Sequence, residues 1–242
     1  QENLFSNYWR VGIFSKVFLP TYNDDDIFRN DNAWIYKTEL LGFAGPTISS
    51  DRRKKVVFEA NIGIGYGENR GRGHEIDLGA VIKPIEPLNI EIKASLDRMP
   101  TYMQWVDVLE SLDDTVRVYA NSLLMKRDVA LRLNWTFSPN LSLQCFVQPF
   151  FADMKYGNYY RLLAPETMDL EPYNYLDDSN NPDFILRNTV GTFVLRWEYR
   201  SGSTLFLVYN LNDNQYYSAV DKVWESENAN ALYFKLNYWF KN

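Results

Sequence analysis

The strongest constraint on the fold is a strict alternation of apolar and polar residues, which is the period of a β-strand with two unlike faces. It is clearest between residues 127 and 137. The apolar set there is Val129, Leu131, Leu133, Trp135 and Phe137, and the intervening residues are Asp128, Ala130, Arg132, Asn134 and Thr136. A chain that repeats this pattern is expected to form a sheet with one apolar face and one polar face.

The alternation recurs along the chain and predicts about a dozen strands. They are placed at 7–18, 33–43, 54–66, 73–84, 89–98, 101–109, 115–122, 127–137, 141–151, 190–200, 203–211 and 230–240. The segment 101–109 is the least regular, because Gln104 and Asp107 interrupt the alternation. No helical periodicity of useful length is present, so the sequence predicts an all-β fold, an antiparallel β-barrel.

Alternation alone does not say which face is inside, since a soluble barrel buries its apolar face and a membrane barrel turns it toward lipid. Strands of ten residues or more match the length that crosses a tilted bilayer. Aromatics form 16% of the chain and gather near strand ends, as at Trp135 and Trp197. We therefore expect a transmembrane β-barrel rather than a large soluble sandwich. The side chains predicted to face lipid are Ile90, Ile92, Leu131, Leu133, Leu232 and Phe234.

The predicted connections are short at one end of the strands and long at the other. Short turns are expected at 86–88, 138–140 and 201–203, where Pro, Gly, Ser and Asn occur. Long acidic loops are expected at 19–32, 152–189 and 211–229. This asymmetry is typical of bacterial outer-membrane barrels, so the long loops are predicted to lie on the cell surface and both termini in the periplasm.

Charge and cysteine content exclude several classes of function. The net charge of −6 argues against nucleic acid as a partner, because phosphate binding needs a basic surface. Cys145 is the single cysteine, so neither an intrachain disulfide nor a cysteine-based metal site can form. No apolar run of about 18 residues is present, so a transmembrane helix is not expected. No cofactor is predicted.

The charged residues of the polar face are the candidate functional residues, predicted to face the barrel lumen. They are Glu59, Asp77, Lys83, Glu91, Lys93, Arg117, Asp128, Arg132, Arg196, Glu198 and Lys235, with Arg200 near the end of its strand. Two interpretations stay open. The charges could line a channel and bias its selectivity, or they could pair across strands and close the lumen.

Three further motifs have a structural interpretation that we favour. His74, the only histidine, is expected at a loop tip beside Gly73, exposed to solvent and not acting as a general base. The alternating glycines of 63–67 lack a following helix, so they are interpreted as close strand packing, not as a nucleotide loop. The acidic segments 24–26 and 177–183 could bind calcium, but they lack the EF-hand spacing and are interpreted as solvated loops.

Several runs of residues resemble one known family. The most distinctive is 194–208, and 140–144, 148–150, 182–184 and Gly45-Pro46 with Asp51-Arg52-Arg53 are similar to other parts of it. The family is a β-barrel domain of unassigned function in envelope proteins of Gram-negative bacteria, often behind a family-9-like carbohydrate-binding module. The resemblance implies an outer-membrane barrel and no catalytic residue set. No such module is visible in this chain, so carbohydrate binding is not carried over.

The sequence leaves three classes of function open. A pore or transport channel for small solutes ranks first, and a structural barrel that scaffolds a surface lipoprotein or a larger outer-membrane complex is the alternative. A hydrolase ranks last, because no nucleophile and base pair is visible. The expected partners are outer-membrane lipid and lipopolysaccharide. Residues 1–242 are expected to form one barrel domain or the C-terminal part of a larger barrel, completed by an upstream segment or a partner protein; about a dozen strands could also close alone.

Overall fold

The structure is a computed structural model that describes residues 2–23, 35–67, 71–112, 114–175 and 180–240. Within these ranges it contains fifteen strands and no helix, and no helical segment there could cross a membrane. In chain order the strands are β1 (Glu2–Leu4), β2 (Arg10–Phe18), β3 (Tyr22–Asn23), β4 (Tyr36–Lys37), β5 (Leu41–Ser49), β6 (Val56–Gly67), β7 (Gly71–Ile82), β8 (Leu88–Glu110), β9 (Thr115–Ser138), β10 (Leu141–Ala164), β11 (Asp169–Pro172), β12 (Phe184–Arg200), β13 (Ser203–Ser218), β14 (Val223–Asn228) and β15 (Ala231–Asn237).

Thirteen of these strands form one antiparallel sheet. Its order is β1-β2-β5-β6-β7-β8-β9-β10-β12-β13-β14, with β11 paired to β10 and β15 paired to β13, while β3 and β4 form a separate pair. Most strands pair with the next long strand in the chain, as expected for strands joined by hairpins. The predicted all-β antiparallel fold is confirmed.

The sheet is not closed into a barrel. Over the described residues, β2 pairs with β1 and β5, and β15 pairs with β13, so the segments predicted at 7–18 and 230–240 do not meet. The strand β1 covers only part of the outer edge of β2. The rest of that edge, and the outer edges of β14 and β15, have no strand partner within the described ranges. Within the described ranges, these strands alone therefore do not form a closed barrel.

Several predicted strands are parts of longer ones. The segments 89–98 and 101–109 are one strand, β8, and 115–122 joins 127–137 in β9. The strand continues through Pro100, and its register against β9 shifts between Thr101 and Gln104 and again between Trp105 and Asp107. A bulge changes the face to which later residues point, which explains why the alternation fails at Gln104 and Asp107.

The predicted long loops were too long. Much of 152–189 belongs to β10, β11 and β12, and 211–229 is mostly β13 and β14 around a tight turn. The predicted strand 33–43 is likewise wrong in its bounds, because β5 begins only at Leu41. Residues 24–34 and 176–179, including the acidic runs at 24–26 and 177–179, lie outside the described residues.

Beyond the main part of the sheet, β8, β9, β10 and β11 form an extension with a small core on each face. One core contains Met103, Tyr119 and Leu162, with Met168 and Leu170 packed against it. The opposite core contains Val118, Ala120, Tyr159 and Tyr175. Since β9 and β10 have 24 residues each, they are about 80 Å long, more than twice the length that a bilayer crossing requires.

Candidate functional site: the charged face of the sheet

The register of the strands assigns each predicted site residue to a face, because directly paired residues in an antiparallel sheet share a face. Lys93 pairs with Gly79 and with Ala130, and Gly79 pairs with Glu59. One row along, Ser95 pairs with Asp77 and with Asp128. The charges of β6, β7, β8 and β9 therefore lie together on one surface, which we call the charged face.

The charged face holds most of the predicted lumen residues. By pairing and alternation it includes Glu59, Asp77, Glu91, Lys93, Asp128, Arg132, Arg196, Glu198 and Lys235. Lys83 lies just after β7, exposed, with its amide donating to the carbonyl of Lys55 at 2.7 Å. Arg117 pairs with Val108 in the extension and lies on the opposite face, two residues from Tyr119.

A groove of about 450 Å³ lies at the centre of this face. It is lined by Glu59, Asn61, Asp77, Leu78, Gly79, Lys93, Ala94, Ser95, Asp128, Ala130, Arg132 and Gln148. Small residues in register with Lys93, namely Gly79 and Ala130, leave the space beside its side chain open. The groove therefore brings together three carboxylates and two cations drawn from four strands.

Hydrogen bonds between neighbouring strands hold these carboxylates. The hydroxyl of Ser95 donates to Asp77 at 2.8 Å, and the side-chain amide of Gln148 donates to Asp128 at 3.0 Å. The hydroxyl of Thr47 donates to the side-chain amide oxygen of Asn61 at 2.6 Å. Each bond satisfies a polar group that the face would otherwise leave to water.

Two ion pairs of the charged face each lie within a single strand. Lys93 contacts Glu91 at 2.8 Å and Arg196 contacts Glu198 at 3.0 Å, both along a single strand at a spacing of two residues. The side chain of Lys93 remains 63% exposed. The guanidinium of Arg132 lies over the ring of Phe146, 4.5 Å from its centroid. Lys93, Arg196 and Arg132 are thus held by near neighbours and lie along the surface of the sheet.

The sequence analysis missed several members of this face. Lys126 pairs in register with Asp97 and contacts it at 2.9 Å, but it was assigned to a connection between two strands. Arg52 reaches Glu59 at 2.8 Å from a turn. If the strand predicted at 127–137 had been extended toward residue 115, Lys126 would have been assigned to the charged face. Lys126 and Asp128 are two residues apart in one strand and therefore lie on the same face.

The sheet bends toward the charged face. The amine of Lys16 on β2 lies 3.5 Å from a carboxylate oxygen of Glu75 on β7, although β5 and β6 lie between them. In a flat sheet the backbones of these strands would be about 14 Å apart, which only two fully extended side chains could span. The bend is marked more directly at Gly45 of β5, where an added Cβ would lie 2.7 Å from the carbonyl carbon of Ile62 on β6. Phe14 packs on Gly63 and Phe43 packs on Gly65, where a Cβ would meet the ring. The alternating glycines thus allow close packing, as interpreted from the sequence, and the charged face is concave here.

The opposite, convex face is apolar and exposed. The strand pairing places Phe58, Leu131 and Phe234 on it, with exposed fractions of 56%, 40% and 65%. Cys145 is on this face, in register with Leu133 and Phe193. His74 is also there, exposed within β7 and not at a loop tip. Such an extended apolar surface is unusual for a protein surrounded by water.

Asp51 and Tyr159, which lie outside the main part of the sheet, have displaced pKa values. In the turn after β5, the guanidinium of Arg53 donates to both carboxylate oxygens of Asp51 at 2.9 Å and lowers the pKa of Asp51 to about 2. In the extension, burial raises the pKa of Tyr159 to about 12. Its hydroxyl has no hydrogen-bond partner in the part of the chain that the structure describes.

The described residues do not contain a cluster of three or more His, Cys, Asp or Glu side chains that could hold a metal ion. The fold and its charged face define an antiparallel β-sheet protein with one polar and one apolar surface. Residues 4–241 match the family described as a domain of unknown function (DUF5916), and the chain belongs to that family. No curated protein matches the chain. The outer-membrane location stays a prediction.

Proposed function

We propose that this sheet is part of the wall of an outer-membrane β-barrel, and that its charged face lines an aqueous passage for small solutes. One observation carries the proposal. The sheet has an exposed apolar convex face and a charged face toward which it bends. A membrane barrel requires this arrangement, with apolar side chains toward lipid and polar side chains toward the lumen.

The height of the apolar surface supports the same proposal. On β9 it runs from Phe137 to Val129, and the first charge on that face is Arg127. Ten residues from Phe137 to Arg127 correspond to about 34 Å along the strand. At a tilt of about 40° the height becomes about 26 Å, close to the 25 Å of a typical barrel. The paired rings of Trp135 and Phe137 lie at the lower edge of this apolar band.

The local ion pairs favour a passage over a plug. Glu91–Lys93 and Arg196–Glu198 each use one strand, and Lys126–Asp97 joins two neighbouring strands. Lys16–Glu75 reaches across β5 and β6, and all four pairs join residues of the same sheet face. Exposed mixed charges of this kind line a surface and bias the ions near it. The proposed role is passive and involves no catalytic step.

A second candidate, a structural barrel subunit, is favoured by the unpaired edges. In lipid each unpaired backbone group costs several kcal/mol, so the edges at β2 and at β14 and β15 need partners. Strands beyond those that the structure describes, from the same protein or from a second chain, would complete the wall. Such a wall could scaffold a larger assembly whether or not its lumen conducts.

Cysteine labelling combined with conductance tests both candidates. In a Cys145→Ala background, Ala130→Cys places a thiol in the groove and Leu131→Cys places one on the apolar face. A membrane-impermeant cationic thiol reagent should react with the first and reduce single-channel conductance in planar bilayers, and it should leave the second unchanged. Labelling at 130 without any conductance would favour the scaffold. Labelling at 131 alone would overturn the orientation.

A further inference from the structure

A group of cations lies on the convex face directly above the apolar band. This cationic band consists of Arg72, Arg98, Arg127, Lys155 and Arg187. The chain as a whole is acidic, with 31 Asp and Glu against 25 Lys and Arg, so a basic group on this face is not expected from composition.

The register places these cations in three consecutive rows. Arg127 and Arg187 both pair with Phe151, and Arg98 pairs with Met125 in the next row. In the third row Lys155 pairs with Leu123, and Arg72 pairs with Tyr66. The band therefore extends across five strands, from β7 to β12, at the level where the apolar surface ends.

The cations point to solvent with little to neutralise them. All five are exposed. Arg127 forms an ion pair with Asp153, the one carboxylate that these strands carry in the three rows, and Asp183, just before β12, lines the same recess as Lys155. Within the described ranges Arg98 donates to the carbonyl of Arg72 at 3.1 Å, and Arg187 lies 4.3 Å from the ring centroid of Trp224. A carbonyl oxygen and an aromatic ring carry no net negative charge, so these contacts leave the charges of Arg98 and Arg187 available to an anion.

The rest of the convex face differs. From Val129 to Phe137 the rows across β6 to β12 have no charged side chain, and on β13 Asp213 is the exception. At the opposite end of the strands, Arg52 and Arg53 are held by Glu59 and Asp51. Among the strand residues of this face, the cations thus concentrate at the end that the proposed topology places at the outer leaflet, while the exposed Lys54, Lys55 and Lys83 at the opposite end lie in connections between strands.

We propose that the cationic band binds the phosphate groups of anionic lipid headgroups in the outer leaflet. This inference rests on the proposed membrane wall. Charge complementarity selects the occupant, because guanidinium groups bind phosphate through two parallel hydrogen bonds and a lysine adds a point charge. The position of the cationic band favours a lipid as the source of the phosphate. A lipid whose acyl chains contact the apolar band would hold its headgroup phosphate at the level of these cations.

The test compares two variants that lose the same charge. In one, Arg98→Gln, Lys155→Gln and Arg187→Gln neutralise the band. In the other, Lys93→Gln, Arg132→Gln and Arg196→Gln neutralise the charged face. Each protein is titrated with diphosphorylated lipid A in detergent micelles, followed by tryptophan fluorescence, with inorganic phosphate as competitor. Insertion into phosphatidylcholine vesicles is measured separately by protease protection.

The band variant should bind lipid A at least about tenfold more weakly, because three of the five cations that attract the anionic headgroup are neutralised. The charged-face variant should bind like the wild type, and free phosphate should not compete. Equal losses in both variants, no lipid A binding by the wild type, or competition by free phosphate would each overturn the inference. If the wild type inserts into vesicles, such a result leaves the proposed wall intact; if it does not insert, both proposals fail.

Discussion

Replacing Gly45 with alanine should destabilise the sheet at the point where it bends. An added Cβ would lie 2.7 Å from the carbonyl carbon of Ile62, 2.9 Å from the Cα of Gly63, and closer still to the Ile62 oxygen. These are backbone atoms of β6, and β6 is paired with β5 on one side and β7 on the other. They cannot rotate away as the end of a side chain could.

The magnitude follows from two opposing terms. Overpacking typically costs about 1–3 kcal/mol, and a clash with fixed backbone belongs at the upper end of that range. Alanine recovers about 0.4–1 kcal/mol by restricting the unfolded chain. We therefore expect Gly45→Ala to lower the free energy of unfolding by about 2–3 kcal/mol, a large fraction of the total stability of a typical domain.

The assay is equilibrium unfolding in guanidinium, followed by the fluorescence of the seven tryptophans. Gly42→Ala is the matched control, since Gly42 is on the same strand and no atom lies within 4 Å of its added Cβ. Its effect should stay within about 1 kcal/mol. Equal effects at the two positions, or a Gly45→Ala protein as stable as the wild type, would refute the proposed close approach of β5 and β6.

Three other predictions test the membrane wall, the turn after β5 and the extension. Leu131→Arg should cost about 2–4 kcal/mol of stability in lipid vesicles if Leu131 lies near the midplane, whereas Asn134→Arg on the charged face should cost under about 1 kcal/mol; equal costs would contradict the orientation. Because the folded pKa of Asp51 is about 2, below its usual 3.8, its contribution to stability should be present above pH 3.8 and lost as pH falls to about 2. The unfolding midpoints of wild type and Asp51→Asn should accordingly converge at about pH 2, and a constant difference would argue against this pair. Tyr159→Phe should leave stability unchanged or raise it by about 1 kcal/mol, because it removes a buried hydroxyl without a partner among the described residues; a loss above about 1 kcal/mol in guanidinium unfolding would reveal a partner.

The sequence predicted the all-β class correctly, and it assigned most of the charged residues of the strands to one face, with Arg117 and Lys83 as exceptions. Side chains of a strand alternate between faces with a period of two, so Leu131 and Arg132 identify opposite surfaces without any knowledge of their neighbours. For the same reason the charges of β6, β7, β8 and β9 could be assigned to one face before their contacts were known. Arg117 was assigned to the wrong group because its strand was interpreted without the continuous extension of β9.

Strand lengths could not be predicted as well as strand faces. Pro100 and the polar residues after it suggested that one strand ended and another began, although β8 continues through Pro100. The bulges between Thr101 and Asp107 reverse the alternation locally, and their position depends on the pairing with β9. A period-two pattern contains no information on that pairing.

The sequence by itself determined that this chain forms strands with one apolar and one charged surface, because the direction of each side chain is a local property of the backbone. Only the tertiary structure decided the cross-strand register, and with it the groove around Lys93, the cationic band and the approach of Lys16 to Glu75. It also decided that β2 and β15 lie apart over the described residues. Register, curvature and closure depend on hydrogen bonds between residues far apart in the chain, and the alternation within one strand is the same whichever partners it has.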